Sequence, residues 1–340
     1  MKTRFITILY LVLFSAVITS CKKNHYKVNT SSIKVTIEIK RLETELFNLD
    51  PDDILAKVPA IKQKYKAFLP LFSYVINTGD INETSFGDLL VRFCTDRQNN
   101  DVYAMTMKVY PDVKKIEEQL KEAFRHYLWY FPGRNVPSVY TCITGFNNSI
   151  ITGDSVLGIG LDRYLGADCE YYPRLEIYKY IAARMTPENI VPDCMFGWGA
   201  SKWDFSILKY PADNVMAEMI HNGKLKYFEK CMLPETSDEL LFGFTADQVN
   251  FCRNNESQMW QYLVENNILF NSDQFTIRKL TGEAPFTSYF TKESPGRAAV
   301  WLGFRIIESY MIRNPRVKLE DLMIDKDLQA ILEKAKYNPQ

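Results

Sequence analysis

The chain has 340 residues and carries 41 Lys plus Arg against 41 Asp plus Glu, a formal net charge of +0. That balance leaves no net positive charge to neutralise nucleic-acid phosphates, so no nucleic acid is expected as a partner. Hydrophobic residues make up 46% and aromatic residues 14%, with 20 Tyr and 21 Phe, a composition suited to a large aromatic core or an apolar groove.

The chain opens with Lys2 and Arg4, then an uncharged apolar run over 5–18, then "ITSC" closing at Cys21. The run is too short and too near the start for a comfortable transmembrane span, and it reads as a secretory signal over 1–20. Small residues ahead of the cysteine look like a bacterial lipobox, which predicts that Cys21 is lipidated and becomes the mature N-terminus. The membrane is then reached through an N-terminal lipid. Residues 21–32 are polar and without apolar period, and they read as a tether. About 300 residues follow, enough for one large domain over 33–340.

"IKVTIEIKRL" (33–42) alternates with period two and predicts a strand. The segment after Pro51 has an acidic start and helical apolar spacing, with interruptions expected around Pro59 and Pro70. Amphipathic helices are predicted at 85–94 and 112–131, the second stopped by Pro132-Gly133. Short β-rich segments then run over 137–145 and 149–166, punctuated by Asn147-Asn148 and Gly153-Asp154, and predict an antiparallel meander of about three strands. After Pro173 the pattern is helical at roughly 174–185, 213–230, 245–266, 296–313 and 318–335. Helices around one small antiparallel sheet, with no composition break, predict a single, mostly helical α+β domain.

Beyond Cys21 the cysteines stand singly at 94, 142, 169, 194, 231 and 252. With no C-x-x-C pair they read as small buried hydrophobes; disulfide pairing stays open.

The most informative stretch is "AEMIH" (217–221). A His-Glu-x-x-His helix binds catalytic zinc through its two imidazoles, with the Glu as general base. Here Glu218 and His221 are in place, but Ala217 occupies the first ligand position. Two ligands are too few for a catalytic zinc, which takes three plus water, so no metal and no cofactor are expected. The helix around them is apolar on nearly every side and should be buried, and Gly223 in its interior implies that another element passes close to that backbone. Glu256, at the start of a later helix, is the candidate for a third remnant ligand. In "SPGRAAVWLGFRIIESYM" (294–311), Ser294 is a candidate cap, and Arg297, Trp301, Phe304 and Glu308 fall on one face while Ala299 and Gly303 leave room on the other. Lys224, Arg297, Trp301 and Glu308 are therefore candidates for a cleft or polar cluster beside the remnant trio Glu218, His221 and Glu256.

Five stretches, 39–47, "GIGLDRYLG" (158–166), "IHNGKLKYFEKCMLP" (220–234), 256–270 and 294–311, together resemble the GldB-type gliding-motility lipoproteins of the Bacteroidota, themselves similar to a zincin-like protease family. The resemblance implies a lipid-anchored envelope protein needed for surface motility. It implies that the missing first histidine is a family trait, and hence a non-catalytic binding or scaffold module of zincin-like fold for envelope or motility-machinery proteins. The rival is a zinc-dependent metallopeptidase using His221, Glu256 and Glu218 as substitute ligands; a purely structural lipoprotein is a third reading. "LGIGLDRYL" would be the edge strand across the site, as in zincins. Lys22 and Lys23 lack the acidic run that surface-export signals of the phylum resemble, which places the expected anchor in the periplasmic leaflet of the outer membrane.

Overall fold

Residues 24–40, for all their β-branched content, form little regular structure before a three-residue strand, β1 (Ile39–Arg41), in the computed structural model, which describes residues 24–340. The signal segment and Cys21 lie outside the described residues. Part of the expected tether packs on the body: Tyr26 is only 5% exposed, and its hydroxyl donates to Glu308 at 2.6 Å. One aromatic ring buried among apolar neighbours is enough to tie down a polar segment.

Six helices follow: α1 (Leu42–Leu46), α2 (Pro51–Lys64), α3 (Leu69–Val75), α4 (Phe86–Thr95), α5 (Arg97–Val109) and α6 (Lys114–Tyr130). Pro59 sits inside α2 without ending it, whereas Pro70 lies in the first turn of α3, where its missing N–H has no partner to lose.

The sheet adds β2 (Ser138–Cys142), β3 (Ile150–Thr152) and β4 (Val156–Gly160) in the order β1-β2-β4-β3. It is mixed, which corrects the antiparallel expectation. β3 and β4 do form the antiparallel hairpin, with Ile150 opposite Ile159. β4, however, inserts between β3 and β2 and pairs with β2 in parallel, and β2 pairs with β1 in parallel across Ile39 and Val139. Asp162, fully buried, holds the loop that makes this insertion by accepting from the Phe146 N–H at 2.6 Å and the Thr144 N–H at 3.1 Å. β4 is thus an interior strand, and the expectation of an edge strand at "LGIGLDRYL" fails. Its five residues are buried without alternation, as parallel strands covered on both faces are.

The two faces of the sheet serve two cores. Tyr140, Cys142, Ile151 and Val156 face the cluster built on α1–α4, while Val139, Leu157 and Ile159 face the larger one. A third, smaller cluster holds Tyr171, Tyr172 and Ala182 with Val102 and Phe146, and the larger core belongs to α6 and to most of the helices after the sheet. The helices after the sheet are the short α7 (Tyr171–Arg174) and α8 (Lys179–Ala182), then α9 (Ile190–Lys202), α10 (Phe205–Leu208), α11 (Val215–Met232), α12 (Asp238–Phe242), α13 (Ala246–Asn254), α14 (Glu256–Glu265), α15 (Gln274–Thr281), α16 (Ala298–Arg313), α17 (Leu319–Ile324) and α18 (Leu328–Ala335). The aromatic excess is spent largely inside: Phe228 of α11 meets Tyr127 at 6.2 Å, Phe131 at 5.8 Å and Trp203 at 5.2 Å between ring centres. The cysteines at 94, 142, 169, 194, 231 and 252 are buried and free. The result is an α+β domain, mostly helical with one small mixed sheet. No described helix is long and apolar enough to cross a membrane.

Candidate functional site

α11 starts where the Asn214 side chain accepts from the Ala217 N–H at 2.9 Å, an N-cap that fixes the first turn. From there the helix runs along α16. Gly223 of α11 and Gly303 of α16 meet backbone to backbone, and a methyl group on either would overlap the other helix's main chain or its immediate support. The spacing of Gly223, Ala299 and Gly303 predicts this close approach, and the structure has it. Thr287 caps α16 by accepting from the Ala298 N–H at 2.9 Å; Ser294, the sequence candidate, bonds instead to the carbonyl of Thr291 at 2.6 Å.

His221 is 5% exposed and Ala217 is buried beside it on the same helix face. The Nδ1 of His221 shares a hydrogen bond with the Tyr210 hydroxyl at 3.0 Å, and the ring of Phe205 packs edge-on at 5.2 Å. Burial lowers the His221 pKa to about 4, helped by the nearby Lys224 cation, so the imidazole is neutral at physiological pH. Lys224 is itself buried and donates to the Asp325 carbonyl at 2.5 Å, capping the C-terminus of α17; burial lowers it to about 8. Glu218 is half-buried, and it accepts from Asn222 on its own helix at 3.1 Å. Burial pushes its carboxyl upward, with Asp213 adding to the rise.

Glu256 belongs elsewhere. It opens α14 and is bound against α16 and the C-terminal segment: Trp301 Nε1 donates at 3.2 Å, Arg305 Nε at 3.2 Å to each oxygen, and the Tyr337 hydroxyl at 2.8 Å. Arg305 also binds Glu308, which accepts from Tyr26. The structure therefore joins Glu256, Trp301 and Glu308 in one half-buried network through Arg305, and leaves His221 and Glu218 out of it. The trio expected as one remnant cluster is not assembled, because the Glu256 carboxylate is taken up by Trp301 and Arg305 of α16 and by Tyr337. Among the described residues no three His, Cys, Asp or Glu side chains form a metal-ligand group. A His221–Glu256–Glu218 ligand set does not fit this geometry, and no zinc-borne step is derived from it.

Arg297 also departs from its expected company. It stands ahead of α16 with a left-handed φ of 61°, so it does not share the Trp301–Glu308 face. Its guanidinium donates to the Phe242 carbonyl at 2.8 Å and pairs with Glu283 at 3.3 Å. Glu283 also pairs with Arg184 at 2.8 Å, and Arg184 lies 3.7 Å from Asp193. Close to this set, Lys226 pairs with Glu229 at 2.8 Å and donates to the Leu241 carbonyl at 2.6 Å. Burial pushes Glu229 up and Lys226 down, each toward its neutral form, and their contact opposes both shifts. Sequence reasoning missed this network, although a signal was present. Lys226 and Glu229 are opposite charges three positions apart in a helix otherwise read as apolar, and a buried helix requires such charges to be paired.

The family described as "Gliding motility protein GldB" matches residues 23–339, which takes in every element described above. The chain matches no curated protein and no solved structure. A match over nearly the full length means that this chain is a member of the gliding motility protein GldB family, and membership implies a gliding-motility envelope protein.

Proposed function

We propose that the protein is a lipid-anchored, non-catalytic binding module of the gliding-motility apparatus, held through Cys21 to the periplasmic leaflet of the outer membrane. Its α11 is a helix of zinc-protease type in which the site residues serve packing. Three large apolar side chains around the start of α11 carry the binding part of this reading: Ile207, Phe270 and Phe275 are 68%, 61% and 65% exposed. The segment of Phe270 and Phe275 is joined to that start, since Val215 N–H donates to the Asn271 carbonyl at 3.0 Å and Gln274 donates to Asp213 at 3.1 Å, and α10, which carries Ile207, packs Phe205 against His221 of α11 at 5.2 Å. Single exposed hydrophobics are ordinary, but several brought to one end of a domain mark a contact surface. A protein of the motility machinery is the occupant that family membership favours. Replacing all three by Ser should leave the fold intact and abolish both motility and co-purification of a partner; retained motility would remove this surface from the reading.

The rival metallopeptidase reading is separated by metal content. Elemental analysis of the purified protein should give far less than one zinc per chain, because His221 and Glu256 do not converge and tight binding needs three or more converging ligands. Stoichiometric zinc lost in His221→Ala would favour the peptidase.

A further inference from the structure

An apolar groove of about 610 Å³ lies against the first described residues of the chain. Its walls include Val28, Ala123 of α6, Val191 and Pro192 of α9, and Met232 and Leu233 at the end of α11, with a polar rim. The volume falls in the range of roughly 300–1,000 Å³ that small-molecule pockets occupy. The chain enters at this groove and is fastened there. Asn24 donates to the Pro234 carbonyl at 2.9 Å, Lys27 pairs with Glu235 at 2.5 Å, and Tyr26 is buried between them. Pro234, Lys27 and Glu235 are themselves part of the groove. Trp129, 45% exposed, stands one turn along α6 from the rim residue His126, an aromatic position suited to a membrane interface.

We infer that this groove receives an acyl chain of the protein's own N-terminal lipid. The inference rests on the reading that Cys21 is lipidated. Three residue steps separate Cys21 from the fastened Asn24, a reach of about 11 Å at most. An acyl chain attached that close meets the groove at the high effective concentration of an intramolecular ligand, which a free lipid or a partner does not have. The groove offers an acyl chain what it needs, apolar walls with no demand for hydrogen bonds. The domain then lies with Trp129 and the strap of residues 24–29 turned to the membrane.

The test is a photo-crosslinking map on the full chain in its native envelope, using cells fed a palmitate that carries both a diazirine and an alkyne. The alkyne reads lipidation independently of the groove. The expected result is labelled protein whose diazirine crosslinks within the same chain to peptides containing Val191 and Pro192 or Leu233. Val28→Asp and Leu233→Asp, in different segments of the chain, should each cut those crosslinks at least five-fold with the alkyne label unchanged. Labelled protein crosslinked only to lipids or to other proteins would overturn the groove assignment and leave anchoring intact. Crosslinks to the same peptides from a diazirine phosphatidylethanolamine, but not from the protein's own lipid, would make membrane lipid the occupant and also overturn it. Protein without alkyne label would overturn the anchoring reading and this inference together.

Discussion

His221 and Glu229 stand about two turns apart on α11, and each is almost wholly buried, yet they meet burial differently. The pocket of His221 is aromatic, its polar neighbours are a hydroxyl and a lysine, and the imidazole survives by staying neutral. Glu229 is met by Lys226 at 2.8 Å, with Arg184 and Arg297 in the surrounding network, and survives by pairing. A neutralised group can be deleted at moderate cost, whereas deleting one partner of a buried pair strands the other in low dielectric. The resemblance to a zinc helix draws attention to the first region; the second is the one on which the fold depends more heavily.

Four variants break or sharpen this contrast. The largest effect should come from the seam beneath both regions. Gly303→Val forces a branched side chain into the backbone of α11, and we expect more than about 3 kcal/mol of destabilisation or no folded protein; a melting curve near that of the wild type would show that the helices slide apart freely. Next, Glu229→Gln leaves Lys226 unpaired and should cost about 3–5 kcal/mol in urea unfolding. A cost below that of His221→Ala would invert the comparison.

His221→Ala should cost about 1–3 kcal/mol, through loss of packing and of the bond to Tyr210. It should also change the pH dependence in a defined direction. The folded pKa of about 4 lies below the free value of 6.5, so the unfolded chain binds the extra proton first as pH falls. Stability contributed by the neutral ring is complete above pH 6.5 and is lost between 6.5 and 4, on the order of 3 kcal/mol in all. Lys224, Asp204 and Tyr210 are the groups that bear on this titration. Unfolding curves at pH 7 and 4.5 should therefore differ less for the variant than for the wild type. Equal differences would mean that His221 titrates normally. The smallest effect on stability, within about 0.5 kcal/mol, belongs to the Ile207, Phe270 and Phe275 triple Ser variant, for which the loss is of function alone.

Much of the helical half could be read from the residues. The predicted spans at 213–230 and 296–313 fall within two residues of α11 and α16, because both stretches are apolar over several turns, and Asn214 caps α11 locally. The close approach at Gly223 was legible for the same reason: a glycine inside a buried helix has a neighbour where a side chain would be. What could not be read was partnership over distance. Nothing in a period-two pattern says that β1 will pair in parallel with a strand beginning at Ser138, or that β4 will slip between β2 and β3. Glu256 was misplaced for a related reason. Periodicity identifies the face of a helix but not which of two neighbouring helices that face will meet, and α14 meets α16.

The bond between Tyr26 and Glu308 joins positions separated by 282 residues, and β1 waits for Val139 before it can pair. The first contact closes a loop that spans most of the chain and the second a loop of 100 residues, from Ile39 to Val139, and such closures come late and slow folding. During synthesis the N-terminal strap emerges first, can reach its partners at Pro234 and Glu235 only after α11 is made, and gains its bond to α16 last. A nascent chain halted before Glu308 would therefore expose Tyr26 together with the apolar sides of α6 and α11, a state open to chaperones and proteases. The strap is made first and locked last, so a docked strap doubles as a signal that synthesis of the domain has passed Glu308.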